Sequence, residues 1–108
     1  MMVALVKDLF FAARVEAIGK GSDTKVHVVT NVSELEQIVR EEAPSHVLLD
    51  LQMVDSAVLL IVRDVPHVAG FGPHVQREHF LSARQRGIRT LWANSALGDR
   101  MPAWLQTP

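Results

Sequence analysis

The chain has 108 residues, a formal charge of -1, 48% hydrophobic residues and no cysteine. That length suits one domain, which we place over residues 1–108, with a core that needs neither disulfides nor a structural metal. A lack of cysteine excludes thiol catalysis and zinc–thiolate sites, and a slightly acidic chain with no dense Lys/Arg face argues against nucleic acid as a partner.

Met2 to Val6 is a nearly continuous apolar run, as expected of a strand buried on both faces, and Leu9 to Ile18 follows at helical spacing. Lys7 and Asp8 interrupt the N-terminal apolar stretch, which is too short to span a bilayer, so no membrane association is expected, and the absence of cysteine makes the cytoplasm the expected compartment. Gly19 to Asp23 reads as a flexible turn and Lys25 to Val29 as a second strand. Asn31 and Glu34 have capping-box spacing, with Leu35, Ile38 and Val39 as the buried stripe of the helix behind them and Pro44 marking its end.

Val47 to Leu51 is the most apolar strand candidate, and it carries Asp50 near its end. A carboxylate in such a run is costly unless it sits at a strand terminus open to loops and solvent. Asp55 to Arg63 fits a short amphipathic helix. Pro66 to Phe71 is a fourth strand, followed by the Gly70-Phe71-Gly72-Pro73 turn. A helix over Val75 to Arg86 is closed by Gly87, Ile88 to Ala93 is a fifth strand, and Leu97 to Leu105 is a short last helix interrupted by Pro102. Strand and helix thus alternate five times with short connections, which predicts a parallel sheet covered on both faces.

In such sheets the reactive residues lie beyond the carboxyl ends of the strands. That selects Lys7 and Asp8, Asp50 to Met53, Gly70 to His74 and Ala93 to Ala96. Asp8 and Asp50, with the backbone of Gln52, could hold a magnesium ion weakly, water completing the shell. An ordinary helix cap is the competing role for Asp8. The histidines are spread over separate elements, and His74 alone lies beside the strand ends, where an imidazole could meet an anion. Phe10 and Phe11 are adjacent on one helix, so at least one is expected to be partly exposed. Trp92 reads as a buried core residue, and Trp104 as the staple of the last helix to the sheet.

The order of these features resembles the receiver domains of two-component response regulators along essentially the whole chain. That family carries an acidic pair after the first strand, a phosphoacceptor aspartate in an Asp-x-x-Met-Pro run after the third, a Ser or Thr after the fourth and a Lys-Pro after the fifth. Here Val6-Lys7-Asp8 stands at the acidic pair, and Asp50-Leu51-Gln52-Met53-Val54 resembles the phosphoacceptor run without its proline. Gly72, or Phe71 one residue earlier, falls at the hydroxyl position, and Asn94 and Ser95 replace Lys-Pro. The resemblance implies a flavodoxin-like (βα)5 three-layer sandwich with strand order 2-1-3-4-5. It also implies a non-enzymatic signalling domain with Asp50 as candidate phosphoacceptor and a pocket made by Lys7, Gly72, His74, Asn94 and Ser95.

With Lys7 in place of one acid, pairing of Lys7 with Asp50 is expected, and magnesium affinity falls. The departures imply a degenerate receiver that meets a protein partner without phosphorylation, or forms a homodimer, through its last two helices and fifth strand. Slow phosphorylation of Asp50, or binding of a small anionic ligand between the Gly70–His74 loop and Ser95, are the alternatives.

Overall fold

The computed structural model describes residues 1–108. Its strands are β1 (Met2–Leu5), β2 (Val26–Val29), β3 (His46–Asp50), β4 (His67–Gly72) and β5 (Thr90–Ala93), and its helices are α1 (Leu9–Gly21), α2 (Val32–Glu42), α3 (Ser56–Val62), α4 (Arg77–Gln85) and α5 (Leu97–Leu105). All pairings are parallel, in the order β2-β1-β3-β4-β5. The expected (βα)5 sandwich is therefore present, with the expected strand order.

Strand alternation divides the core into two layers. Met2, Ala4, Leu48, Ala69 and Phe71 face α1 and α5, where they meet Ala12, Val15, Leu97, Met101 and Trp104. Val3, Leu5, Val47 and Leu49 face the opposite way, onto Leu35 of α2, Val58 and Val62 of α3 and Ala83 of α4. Because both faces of the central strands are covered, β1 and β3 are buried at every position.

Several local expectations are corrected. The segment from Gly19 to Gly21 is not a turn but the last part of α1, since buried Gly19 brings the helix backbone against Val26 of β2; a Cβ at Gly19 would lie 2.0 Å from Val26 Cγ2. Pro102 does not interrupt α5, which runs through it while Leu97, Met101, Trp104 and Leu105 anchor the helix to the sheet. Val75 lies outside α4, because Pro73 to Gln76 closes a turn first. Leu51 leaves the strand in a 3₁₀ turn, Leu51–Met53, on which the site depends. At the Asn31 cap, Oδ1 accepts from Glu34 N–H at 2.9 Å as expected, but the return bond runs from Asn31 Nδ2 to Glu34 Oε1 rather than to the cap amide. Gly87 has φ +101 and ends α4 in a backbone conformation that favours glycine.

Candidate functional site at the strand ends

Asp50 is the last residue of β3, 5% exposed and on the face covered by α1 and α5. Beyond it the chain turns sharply, and the carboxylate holds that turn: Oδ1 accepts from Gln52 N–H at 3.0 Å, and Oδ2 accepts from the backbone N–H of Lys7 at 3.2 Å. Asp50 thus ties the exits of the two central strands together. The expected side-chain pairing of Lys7 with Asp50 is not formed. Lys7 is exposed, and the ion pairs of the molecule are Arg40 with Glu36 and Arg63 with Asp64, both on the surface.

Asp8 is exposed and caps α1, its Oδ1 accepting from Phe10 N–H at 2.7 Å. This is the capping role weighed against metal binding. Around the two carboxylates lies a cleft of about 360 Å³ lined by Lys7, Asp8, Phe11, Asp50, Gln52, Phe71, Pro73 and Asn94. The register of the sheet sets Phe71 opposite Asp50, and Phe71 is 2% exposed. Its ring fills the space beside the carboxylate and meets Phe11 at a centroid distance of 6.0 Å. On the β5 side, Asn94 opens a short 3₁₀ turn, and its buried Oδ1 has no hydrogen-bond partner.

The cleft gathers only part of the expected pocket. Lys7 and Asn94 line it, whereas Gly72, His74 and Ser95 do not. His74 is exposed and opens onto a separate groove with Arg77, Phe80, Leu81 and Arg84, because the Pro73–Gln76 turn carries it away from the strand ends. An anion site spanning His74 and Ser95 therefore has no common cavity. The carboxylates named for a weak magnesium site, Asp8 and Asp50, do share this cleft with Gln52. Asp8 Oδ1 accepts from the α1 cap and each oxygen of Asp50 accepts one backbone N–H, which fixes the orientation of both carboxylates.

No protein-family model matches the chain, and no curated protein matches it. Solved structures do. The receiver domain of NtrX from Brucella abortus superposes with a TM-score of 0.81 at 19% identity, over all of both chains. The N-terminal signal receiver domain of a two-component response regulator from Bacteroides fragilis gives 0.75 at 17% identity, covering 99% of this chain and 97% of that one. This chain has the receiver fold. A signal receiver domain from Vibrio parahaemolyticus adds a TM-score of 0.75 at 15% identity, with 96% of this chain and 85% of that one covered. The likeness is one of fold.

At the opposite, amino-terminal end of the sheet lies a cluster that reading the histidines one element at a time does not find. His46 and His67 open adjacent parallel strands and pair in register, stacking at 4.6 Å. His46 is 3% exposed, with Nε2 within 3.0 Å of the Trp104 carbonyl and 2.9 Å of Thr107 Oγ1, while Nδ1 faces Ser45 Oγ at 2.7 Å. A carbonyl can only accept, so Nε2 carries a proton toward Trp104. Burial, then the neighbouring His67, pushes the His46 pKa below its ordinary value. Trp92 is half-buried rather than fully buried, and packs edge-on against Trp104 at 5.3 Å.

Proposed function

We propose that this domain is a degenerate receiver whose output does not depend on phosphorylation, and that it works as a protein-interaction module. The observation that carries the reading is the environment of Asp50: Phe71 packs beside it, neutral Asn94 stands on its β5 side, and no ammonium or guanidinium pairs with it. Phosphoryl transfer relies on positioning and on cationic or metal stabilisation of the transferred group. Neither is prearranged here. A buried aromatic ring also cannot swing toward a phosphoryl group as a small hydroxyl side chain can.

The partner surface we assign to α4, β5 and α5 has suitable features. β5 is an edge strand, and the groove beside it is lined by Arg77, Phe80, Leu81, Arg84 and Ala93, with Leu81 54% exposed. An apolar patch bounded by arginines suits a protein partner or a second copy of the chain. Under this reading the domain is not an enzyme and works in the cytoplasm.

Slow phosphorylation of Asp50 is the second reading, supported by the position of its carboxylate at the strand end and on the wall of an open cleft. One experiment separates the two. The protein is incubated with acetyl phosphate and magnesium and its intact mass followed, alongside Asp50→Asn. No added phosphoryl mass over hours is expected; stoichiometric addition to the parent and none to the variant would establish the slow acceptor instead.

A further inference from the structure

We propose that the amino-terminal end of the sheet is the interface of a two-fold dimer of this chain, with the end of α2 in each copy seated against the α4–β5 loop of the other. In a parallel sheet each crossover helix runs back to the end where the next strand starts, so α2, α3 and α4 all finish at this end, and they cover one face. α2 packs over β1 and β2 and beside α3, while α4 packs over β4, which sets α3 between them. The three helix ends differ in charge. α2 closes on Glu41 and Glu42, α3 leads into Arg63 and Asp64, and α4 leads into Arg86, with Arg89 just beyond. Across the end of the sheet the order is therefore acidic, mixed, basic. A two-fold axis along the sheet normal, through the middle of this end, lays acidic on basic twice and sets the Arg63–Asp64 pair of one copy beside that of the other.

Little of this charge is neutralised within the chain. Glu41, Glu42, Arg86 and Arg89 are exposed and join no ion pair, and Glu41 accepts only from Gln37, at 3.4 Å. The two glutamates also stand in the last turn of α2, where the helix dipole is negative, and Arg40, the basic residue of that turn, is engaged by Glu36. This helix end gains from a cationic neighbour that the chain itself does not supply. The α4–β5 side offers one: a groove of about 610 Å³ carries Arg63, Arg86 and Arg89 over an apolar floor of Val62, Val65 and Ile88, with no acidic residue in its lining. An inorganic anion would meet the arginines and leave the apolar floor wet, whereas a helix end covers both. The floor supplies buried apolar area, and the charges fix partner and register. This contact lies apart from the face of α4, β5 and α5 assigned above, and it does not depend on how Asp50 reacts.

Sedimentation equilibrium from micromolar to millimolar concentration, at low and at high salt, tests the dimer. The samples are the parent chain, Glu41→Lys/Glu42→Lys, Arg86→Glu/Arg89→Glu, and an equimolar mixture of the two variants. The parent is expected to approach twice the monomer mass and no more, with a dissociation constant about tenfold or more higher in high salt. Each variant alone sets like charges together at both contacts and is expected to stay monomeric. The mixture sets opposite charges together at both contacts and is expected to recover the dimer, which also shows that both variants fold. A dimer on the α4, β5 and α5 face would respond to the arginine reversals and not to those on α2. Monomer at every concentration, growth past two copies, a dimer retained in the α2 variant, or no recovery on mixing overturns the proposal. Phosphoryl labelling is read separately, so failure here leaves the reading of Asp50 to its own assay.

Discussion

Gly70 lies in β4 beneath the turn that Asp50 holds, and substituting it by alanine tests how tightly the fold sets the site. A Cβ at this position would stand 2.5 Å from Leu51 Cδ2 and 3.1 Å from Leu91 Cδ2, with Leu51 Cγ at 3.3 Å. Leu51 is 5% exposed and follows Asp50 directly, so moving it displaces the 3₁₀ turn as well as the core. Overpacking of this kind costs about 1–3 kcal/mol. Alanine recovers roughly 0.5–1 kcal/mol of the entropy that a strand glycine loses on folding. The net expectation is a loss of about 1–2 kcal/mol, or roughly 5–10 °C in Tm for a domain of this size. Urea unfolding of Gly70→Ala, Leu51→Ala and the double variant supplies the decisive comparison. Leu51→Ala alone should cost about 2–5 kcal/mol, and the double variant should cost less than the sum because the new methyl enters the space Leu51 vacates. Strict additivity, or an unchanged midpoint and Gln52 amide shift in Gly70→Ala, would refute the view that Leu51 clamps the Asp50 turn against β4.

Three other outcomes are expected. The His46 pKa is depressed in the folded state, so the unfolded chain binds more protons; stability is full above the ordinary histidine value of 6.5 and falls as pH drops below it toward the folded pKa. Urea midpoints at pH 7.5 and 5.0 should show this loss, and His46→Gln should diminish it. Removing the Asn31 side chain that caps α2, as Asn31→Ala, should cost about 1 kcal/mol by urea unfolding with the m-value unchanged. Asp55→Ala should behave alike at α3, since Asp55 Oδ1 accepts from Val58 N–H at 2.9 Å, and a much smaller effect would show that α3 is held by Val58 and Val62 rather than by its cap.

The alternation of apolar runs with helical spacing made the order of elements legible, and the strand-end rule placed Asp8, Asp50 and Asn94 at one end of the sheet. Side-chain destinations were less legible. Lys7 follows a strand exit where its side chain is free to turn outward, so charge complementarity with Asp50 was no guide; the contact is made by its backbone instead. His74 is near the pocket in distance along the chain, but a tight turn lies between it and the strand end. Phe71 could have been placed by alternation alone: aligning the ends of β3 and β4 puts it beside Asp50 on the same face. Sequence pattern starts the third and fourth strands at Val47 and Pro66, whereas β3 and β4 begin at His46 and His67, which puts the two histidines in matching first positions. Local helix propensity predicts a break at Pro102, but the four buried side chains that anchor α5 outweigh it.

Phe71 also bears on whether this domain can switch. A side chain at this place can respond to events at Asp50 only by moving, and Phe71 is almost wholly enclosed between Phe11, the sheet and the α5 layer. A phenylalanine buries roughly 150–200 Å², so exposing it costs about 4–5 kcal/mol at 25 cal/mol per Å². A displaced conformer would then occupy about one molecule in a thousand or fewer, and a ligand would have to favour it by that same free energy to make it dominant. Small charge changes at an exposed cleft supply much less. We therefore expect relaxation-dispersion profiles at Gln52, Phe71 and Gly72 to be flat. Phe71→Leu keeps the wall apolar and should leave the profiles flat, whereas Phe71→Thr opens a void beside Asp50 and should introduce exchange. Exchange already present in the parent chain would mean that β4 moves despite the ring, and that a conformational signal is built into the fold after all.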